Sequence, residues 1–212
     1  MHESQTQEHR KNRHWLRYAS VFLVVSVVGG LIYVRMHPLV FNESLFQHAH
    51  CIAQVGMAFQ MYANDHAGRF PAHTNGYGDA LLLLLRDDPA LSFALTGPGY
   101  DRLVFDCALT NHTDVPESQC GRVYIQGLAA NCDPSIVLLF DKLPTPGGDH
   151  CHGLARLSAP LCREVALADG SHQTIREHDW PEFTRKQIEL LVEEGFSREQ
   201  AEAVYAEEPK RK

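Results

Sequence analysis

No Cys-x-x-Cys pair, no Gly-x-Ser-x-Gly turn and no glycine-rich phosphate loop occurs in this chain. The first absence argues against a thioredoxin-like redox centre, which needs two thiols one helical turn apart. The second removes the strained turn on which an α/β-hydrolase presents its serine. The third removes the backbone cradle that holds nucleotide phosphates. Ser171-His172 is an isolated neighbour pair with no third group to orient it, so no enzymatic activity is expected. Positive charge is also scarce beyond residue 35. Residues 1–35 hold five Lys/Arg and two Asp/Glu; of 19 and 26 in the whole chain, 14 and 24 remain, a net of −10. An acidic domain of this kind is not expected to bind nucleic acid or to lie on an anionic lipid face.

What the chain does have is one long apolar run. Tyr18 to Val34 carries no charge, with Arg10, Lys11, Arg13 and Arg17 before it and Arg35 after it. About 17 to 20 apolar residues suffice to cross a bilayer core as a helix. Basic residues on the N-terminal side place that side in the cytoplasm. No Ala-x-Ala-like cleavage site follows, so the run reads as an uncleaved anchor rather than a signal peptide. The expected organisation is a cytoplasmic tail over 1–17, a transmembrane anchor over 18–36, a periplasmic domain over 37–180 and a helical hairpin with its tail over 181–212. The chain is then a single-pass inner-membrane protein.

Export changes the reading of the six cysteines, Cys51, Cys107, Cys120, Cys132, Cys151 and Cys162. An even number in an oxidising compartment suggests disulfides. Cys107 with Cys120 and Cys151 with Cys162 are the most local pairs, and each would close a loop worth about 2–3 kcal/mol. Two clusters also carry metal-type ligands. His48, His50 and Cys51 form the first, but His48 and His50 project about 200° apart on a helix. Asp149, His150, Cys151 and His152 form the second, on a loop free to adapt. Imidazole and thiolate suit Zn²⁺. Ca²⁺ wants six to eight oxygens, for which Asp141, Asp149, Asp169 and Asp179 are the candidates, without EF-hand spacing. The metal reading therefore rests on Asp149, His150, His152 and Asp169. The competing reading is a disulfide flanked by solvated histidines, with Asp169 simply making a turn.

Periodicity supplies the elements. Ser44 and Gln47 form a capping-box pair ahead of Leu45, Ala49, Ile52, Val55, Phe59 and Tyr62, which share one stripe of a helix over 44–65. Asp79 is expected to cap a short buried helix, Ala80 to Arg86. Leu103-Val104-Phe105, Arg122 to Gln126 and Ser135 to Phe140 read as strands. Glu164 to Ala168 and His172 to Ile175 flank Asp169-Gly170, a strong hairpin signal. Three to five antiparallel strands should pack on the 44–65 helix. Beyond Pro181, Arg185 to Glu194 and Arg198 to Glu207 form a helical hairpin, the second helix opened by a Ser197–Gln200 capping box. About 25 residues are too few to stand alone, so the hairpin should dock on the body or on a partner.

Two stretches carry a resemblance. In the first, His50-Cys51 leads into a helix that closes with Tyr62-Ala63-Asn64-Asp65-His66-Ala67-Gly68-Arg69-Phe70-Pro71. This is similar to the membrane-proximal helix of pilin-like proteins abundant in Planctomycetes and Verrucomicrobia. The second runs through Val123-Tyr124-Ile125, Gly127-Leu128, Asp133-Pro134-Ser135, Phe140-Asp141-Lys142 and Gly147-Gly148-Asp149-His150 to Asp169-Gly170-Ser171. It resembles the C-terminal part of the same proteins, where a His precedes Asp-Gly. The resemblance implies an α+β, pseudopilin-like fold and a structural role beside other envelope or type II secretion subunits. The chain departs from that pattern in having no Glu within its apolar run and no prepilin cleavage motif ahead of it. Eighteen residues also separate His150 from Asp169, a stretched spacing.

Overall fold

The computed structural model describes residues 26–29, 52–101, 103–147 and 158–206. The chain divides into two compact units, Met1–Leu45 and Phe46–Lys212. In the first, residues 26–29 are helical, with Val27 and Val28 exposed. The rest of the expected 18–36 anchor, the Ser44–Gln47 capping pair and the His48–Cys51 cluster lie outside the described residues. No helix among the described residues is long and apolar enough to cross a membrane.

The second unit is α+β. Helix α1, Ile52–Asp65, buries Ile52, Val55, Gly56, Phe59 and Ala63 along one stripe. It ends as the sequence requires. Gly68 takes a left-handed φ of 75° and donates its N–H to Ala63 O at 2.8 Å, closing the last turn. Helix α2, Tyr77–Asp87, starts earlier than expected. Asp79 lies inside its first turn rather than capping it, where a carboxylate is still favourable against the helix dipole. A 3₁₀ turn, Pro89–Leu91, leads into α3, Ser92–Thr96.

Leu103-Val104-Phe105 is not a strand but the first turn of α4, Leu103–Asn111. Asp101 decides this. Its side chain accepts the Leu103 N–H at 2.9 Å, a local bond that starts a helix. Phe105 and Ala108 then bury on one face at helical spacing. The three apolar residues alone could not distinguish the two states.

The sheet has strands β1 (Arg122–Tyr124), β2 (Val137–Asp141), β3 (Thr145–Pro146), β4 (Leu161–Leu167) and β5 (His172–Arg176), all pairs antiparallel. β1 pairs β2, and β2 pairs β4 through Val137–Leu167 and Phe140–Val165. β3 pairs β4 at Cys162 and Leu161, while β5 spans Cys162 to Ala166. Because β5 overlaps both partners, β2 and β3 must share one edge of β4 and β5 must take the other. The expected Asp169-Gly170 hairpin joins β4 to β5. Gly170 has φ 83° and donates to Leu167 O at 3.0 Å.

Successive strand residues face opposite sides, which separates two layers. Tyr124 pairs with Leu139, and on that face Phe59 of α1 stacks on Tyr124 with ring centroids 4.8 Å apart. Phe140 points the other way, against Trp180 (5.4 Å) and Tyr205 (5.1 Å) of the C-terminal helices α5 (Trp180–Glu193) and α6 (Arg198–Ala206). The helical hairpin therefore docks on the body. Gln187 fixes it, accepting from Val137 N at 2.9 Å and donating to Ser135 O at 3.0 Å. The Ser197–Gln200 capping box forms in both directions: Gln200 N donates to Ser197 Oγ at 3.1 Å, and Ser197 N to Gln200 Oε1 at 2.9 Å.

α1 approaches the hairpin turn closely. A Cβ on Gly56 would stand 2.7 Å from Gly170 O, so only glycine allows this crossing. Gln60 adds a hydrogen bond from its amide to Ala168 O. The 62–71 motif is tied down as well, since Tyr124 donates its hydroxyl to Pro71 O at 2.7 Å.

Candidate functional site

Polar chemistry in the second unit collects in two places. The first is a buried charge network at the β1–β2–β4 junction. Arg122 Nε donates to Asp141 Oδ1 at 2.9 Å, and Glu164 N to Asp141 Oδ2 at 3.1 Å. Arg163 holds Lys142 O at 2.7 Å and meets Glu177 with two bonds, at 3.0 and 3.3 Å. Its guanidinium also lies 4.8 Å from the centre of the Trp180 ring. Arg122, Asp141, Arg163 and Glu164 are all 2% exposed or less. With this degree of pairing and burial the network serves as internal bracing between strands and hairpin. Of the network only Glu177, 33% exposed, reaches solvent.

The second place is a cleft between α2 and α4. Gly78 sets its floor: a Cβ there would lie 2.0 Å from Val115 O, so α2 is pressed against the segment that follows α4. Asp79, one residue on, is 6% exposed, and its Oδ1 accepts the Val115 N–H at 2.8 Å. Glu117 Oε1 accepts the Tyr77 N–H at 2.9 Å and completes the clamp. The cleft above has a volume of about 360 Å³ and is lined by His73, Asp79, Arg86, His112, Thr113 and Asp114 among others. His112 sits just past the α4 C-terminus at φ 54°, a left-handed position usually given to glycine or asparagine. The sequence points to Asp79 as a helix cap, and none of these residues is expected from it to form a site. His73 and His112 are 39 residues apart with no shared pattern. The one available signal was the Asp79 carboxylate inside an otherwise leucine-rich helix.

Of the four residues expected to hold metal, only Asp169 is among the described residues. Asp149, His150 and His152 lie outside the described residues. Asp169 is exposed and makes the hairpin turn, accepting the Ser171 N–H at 2.8 Å. Asp141 is committed to Arg122. It also lies at the far end of β2 from the 169–170 turn, on the order of 13 Å away at strand spacing. Asp179 pairs with the neighbouring His178 at 3.1 Å. No group of three or more His, Cys, Asp or Glu among the described residues is arranged to hold a metal ion.

The Cys107–Cys120 disulfide is not formed. Cys107 is an exposed free thiol on the outer face of α4, whereas Cys120 is fully buried beyond the Glu117–Gln119 turn. Closeness in sequence did not bring the two Cβ atoms together, because the helix turns Cys107 outward. No disulfide links any two described cysteines. Cys162 is buried, its Sγ 3.5 Å from Pro160 O, and its expected partner Cys151 lies outside the described residues. Burial pushes the Cys132 thiol up to about 11, with Glu194 adding to the effect. That thiol stays protonated at neutral pH.

One further surface stands out. The side of α1 away from the sheet carries Met57 and Met61, 57% and 68% exposed and one helical turn apart. Comparison with family models, with curated proteins and with solved structures finds no match to this chain.

Proposed function

We propose that this chain is a pseudopilin-like structural component of a secretion- or pilus-related envelope assembly. Residues 18–36 anchor it in the inner membrane, the N-terminus is cytoplasmic, and the α+β unit stands in the periplasm beside other pseudopilin-like subunits. The observation that carries this reading is the seating of α1. It locks onto an antiparallel sheet through Val55, Phe59 and the Gly56–Gly170 crossing, yet presents Met57 and Met61 outward. Methionine is a flexible, polarizable side chain suited to adaptable contacts between subunits. The uncharged run Tyr18–Val34 and the 50–71 resemblance support the same reading from the sequence side.

Alkaline carbonate extraction of membranes from cells producing the full chain tests the anchor. The protein should remain in the membrane pellet, and removal of residues 18–36 should release it. Recovery of the intact chain in the soluble fraction would reject the proposal.

A further inference from the structure

The cleft between α2 and α4 holds an acceptor that the fold leaves without a donor. Asp79 is 6% exposed and forms part of the cleft lining. Its Oδ1 is taken by the Val115 N–H, but its Oδ2 is buried and has no hydrogen-bond partner. His73 Nδ1 stands 3.6 Å away and offers it no proton, since that nitrogen itself accepts the Asn75 N–H at 3.3 Å. A buried carboxylate oxygen left in this state is costly.

The rest of the lining shows which kind of donor suits it. Asp114 is exposed and adds a second carboxylate. It precedes Val115, whose N–H Asp79 holds, so both carboxylates lie at the same end of the cleft. Against them stands Arg86, which leaves a formal charge of −1 with neutral imidazoles. Arg86 follows Asp79 on α2 by about two helical turns, on the order of 10 Å along the axis. The carboxylates therefore set the field at their own end. Leu82, Ala108 and Leu109 supply an apolar wall. No group of three or more His, Cys, Asp or Glu among the described residues is placed to hold a metal ion. An ammonium group needs no such set, because it brings a compact positive charge with its own N–H donors.

We propose that this cleft binds a small aliphatic primary ammonium ion. Its N–H groups donate to Asp79 Oδ2 and to Asp114, and its carbon chain lies on Leu82, Ala108 and Leu109. The His73 side chain, 39% exposed, turns aside to admit it. The His73 backbone stays in place, because Gln126 Oε1 accepts its N–H at 2.7 Å. A charge-assisted bond then supplies the donor that Oδ2 lacks in the free protein. No histidine has to change its charge. The site is independent of whether the chain assembles into a filament.

The full chain would be titrated near neutral pH with n-propylammonium chloride, against potassium chloride at matched ionic strength. n-Propanol serves as the uncharged counterpart. Binding is read from NMR resonances of the cleft residues and from Tm. Saturable shifts at His73, Asp79 and Asp114 are expected in the millimolar range, as suits so few ligand atoms, with a rise in Tm. n-Propanol should bind at least about tenfold more weakly. Asp79→Asn should weaken n-propylammonium about tenfold or more, while its amide oxygen still takes the Val115 N–H and preserves the fold. Asp114→Asn should weaken it by about threefold or more. His73→Ala should bind at least as tightly as the parent chain, since the ring no longer has to move. β-Alanine, with the same number of carbons, separates two sources of the ammonium group. Tighter binding of β-alanine that is lost in Arg86→Gln would identify an amino acid, and no gain over n-propylammonium would identify a simple amine. No saturation beyond potassium chloride, equal binding of n-propanol, or undiminished binding by Asp79→Asn would each overturn the proposal. Should Asp79→Asn fail to fold, undiminished binding by Asp114→Asn would overturn it instead.

Discussion

Gly56 is the residue on which the seating of α1 depends most sharply. A methyl group there meets the Gly170 carbonyl, a backbone atom that cannot rotate away. Gly56→Ala should lower unfolding free energy by about 1–3 kcal/mol, the usual cost of overpacking, read as a fall in urea midpoint. Asp141→Ala should cost more, about 3–5 kcal/mol, because it leaves the buried Arg122 guanidinium without its carboxylate. The cysteines give a chemical test. Iodoacetamide at neutral pH should label Cys107 in the native protein and leave Cys132 unmodified until denaturant is added. Linkage adds a pH dependence. The folded protein holds the Cys132 proton up to about 11, while the unfolded chain releases it near 9.0. Stability from this group is intact below 9.0 and is lost as pH rises from there towards 11. The buried Tyr124 and Tyr205 hydroxyls are also shifted upward and act in the same direction at higher pH. Thermal unfolding across that range should show Tm falling, and a flat Tm would contradict the assignment. At this scale the sequence was a partial guide. The turn role of Asp169 was legible because Asp-Gly between strands has few other meanings. The outward Cys107 was not, since its direction is decided by the helix it sits on.

At the scale of elements, the capping box of α6 offers the cleanest test. Both of its bonds form, so Ser197→Ala should cost about 1 kcal/mol, seen as faster amide exchange across Arg198–Ala206. The elements that could be read in advance share a feature: their stop and start signals are local. Gly68 closes α1, Asp169-Gly170 turns the hairpin, and Ser197 opens α6. Leu103–Phe105 failed for the converse reason. Three apolar residues fit strand or helix equally, and the side chain that settles the matter, Asp101, lies upstream of the run. The α2–α4 cleft was invisible at this scale. It is made by Gly78 pressing one helix on the loop after another, and no periodicity reports such a contact.

At the scale of the molecule, the sheet is covered by α1 on one face and by the C-terminal hairpin on the other. The hairpin is a structural layer, held by Trp180, Gln187, Leu191 and Tyr205. Truncation before residue 180 would uncover Phe140 and leave Val137 N and Ser135 O without their partner. The truncated chain should be markedly less stable and prone to aggregate, checked by denaturant melts and size-exclusion chromatography. The layered α+β architecture was legible because amphipathic helices and alternating strands must bury their apolar faces together. What the outer face of α1 meets was not legible, since contacts between chains leave no periodic signature in one chain. The most direct test of the central claim places a photo-crosslinking residue at position 57 or 61 and irradiates intact cells. The account predicts discrete adducts with pseudopilin-like subunits or with a second copy of this chain, absent when the crosslinker stands at Lys186. A chain that remains monomeric with the crosslinker at either methionine position would contradict it.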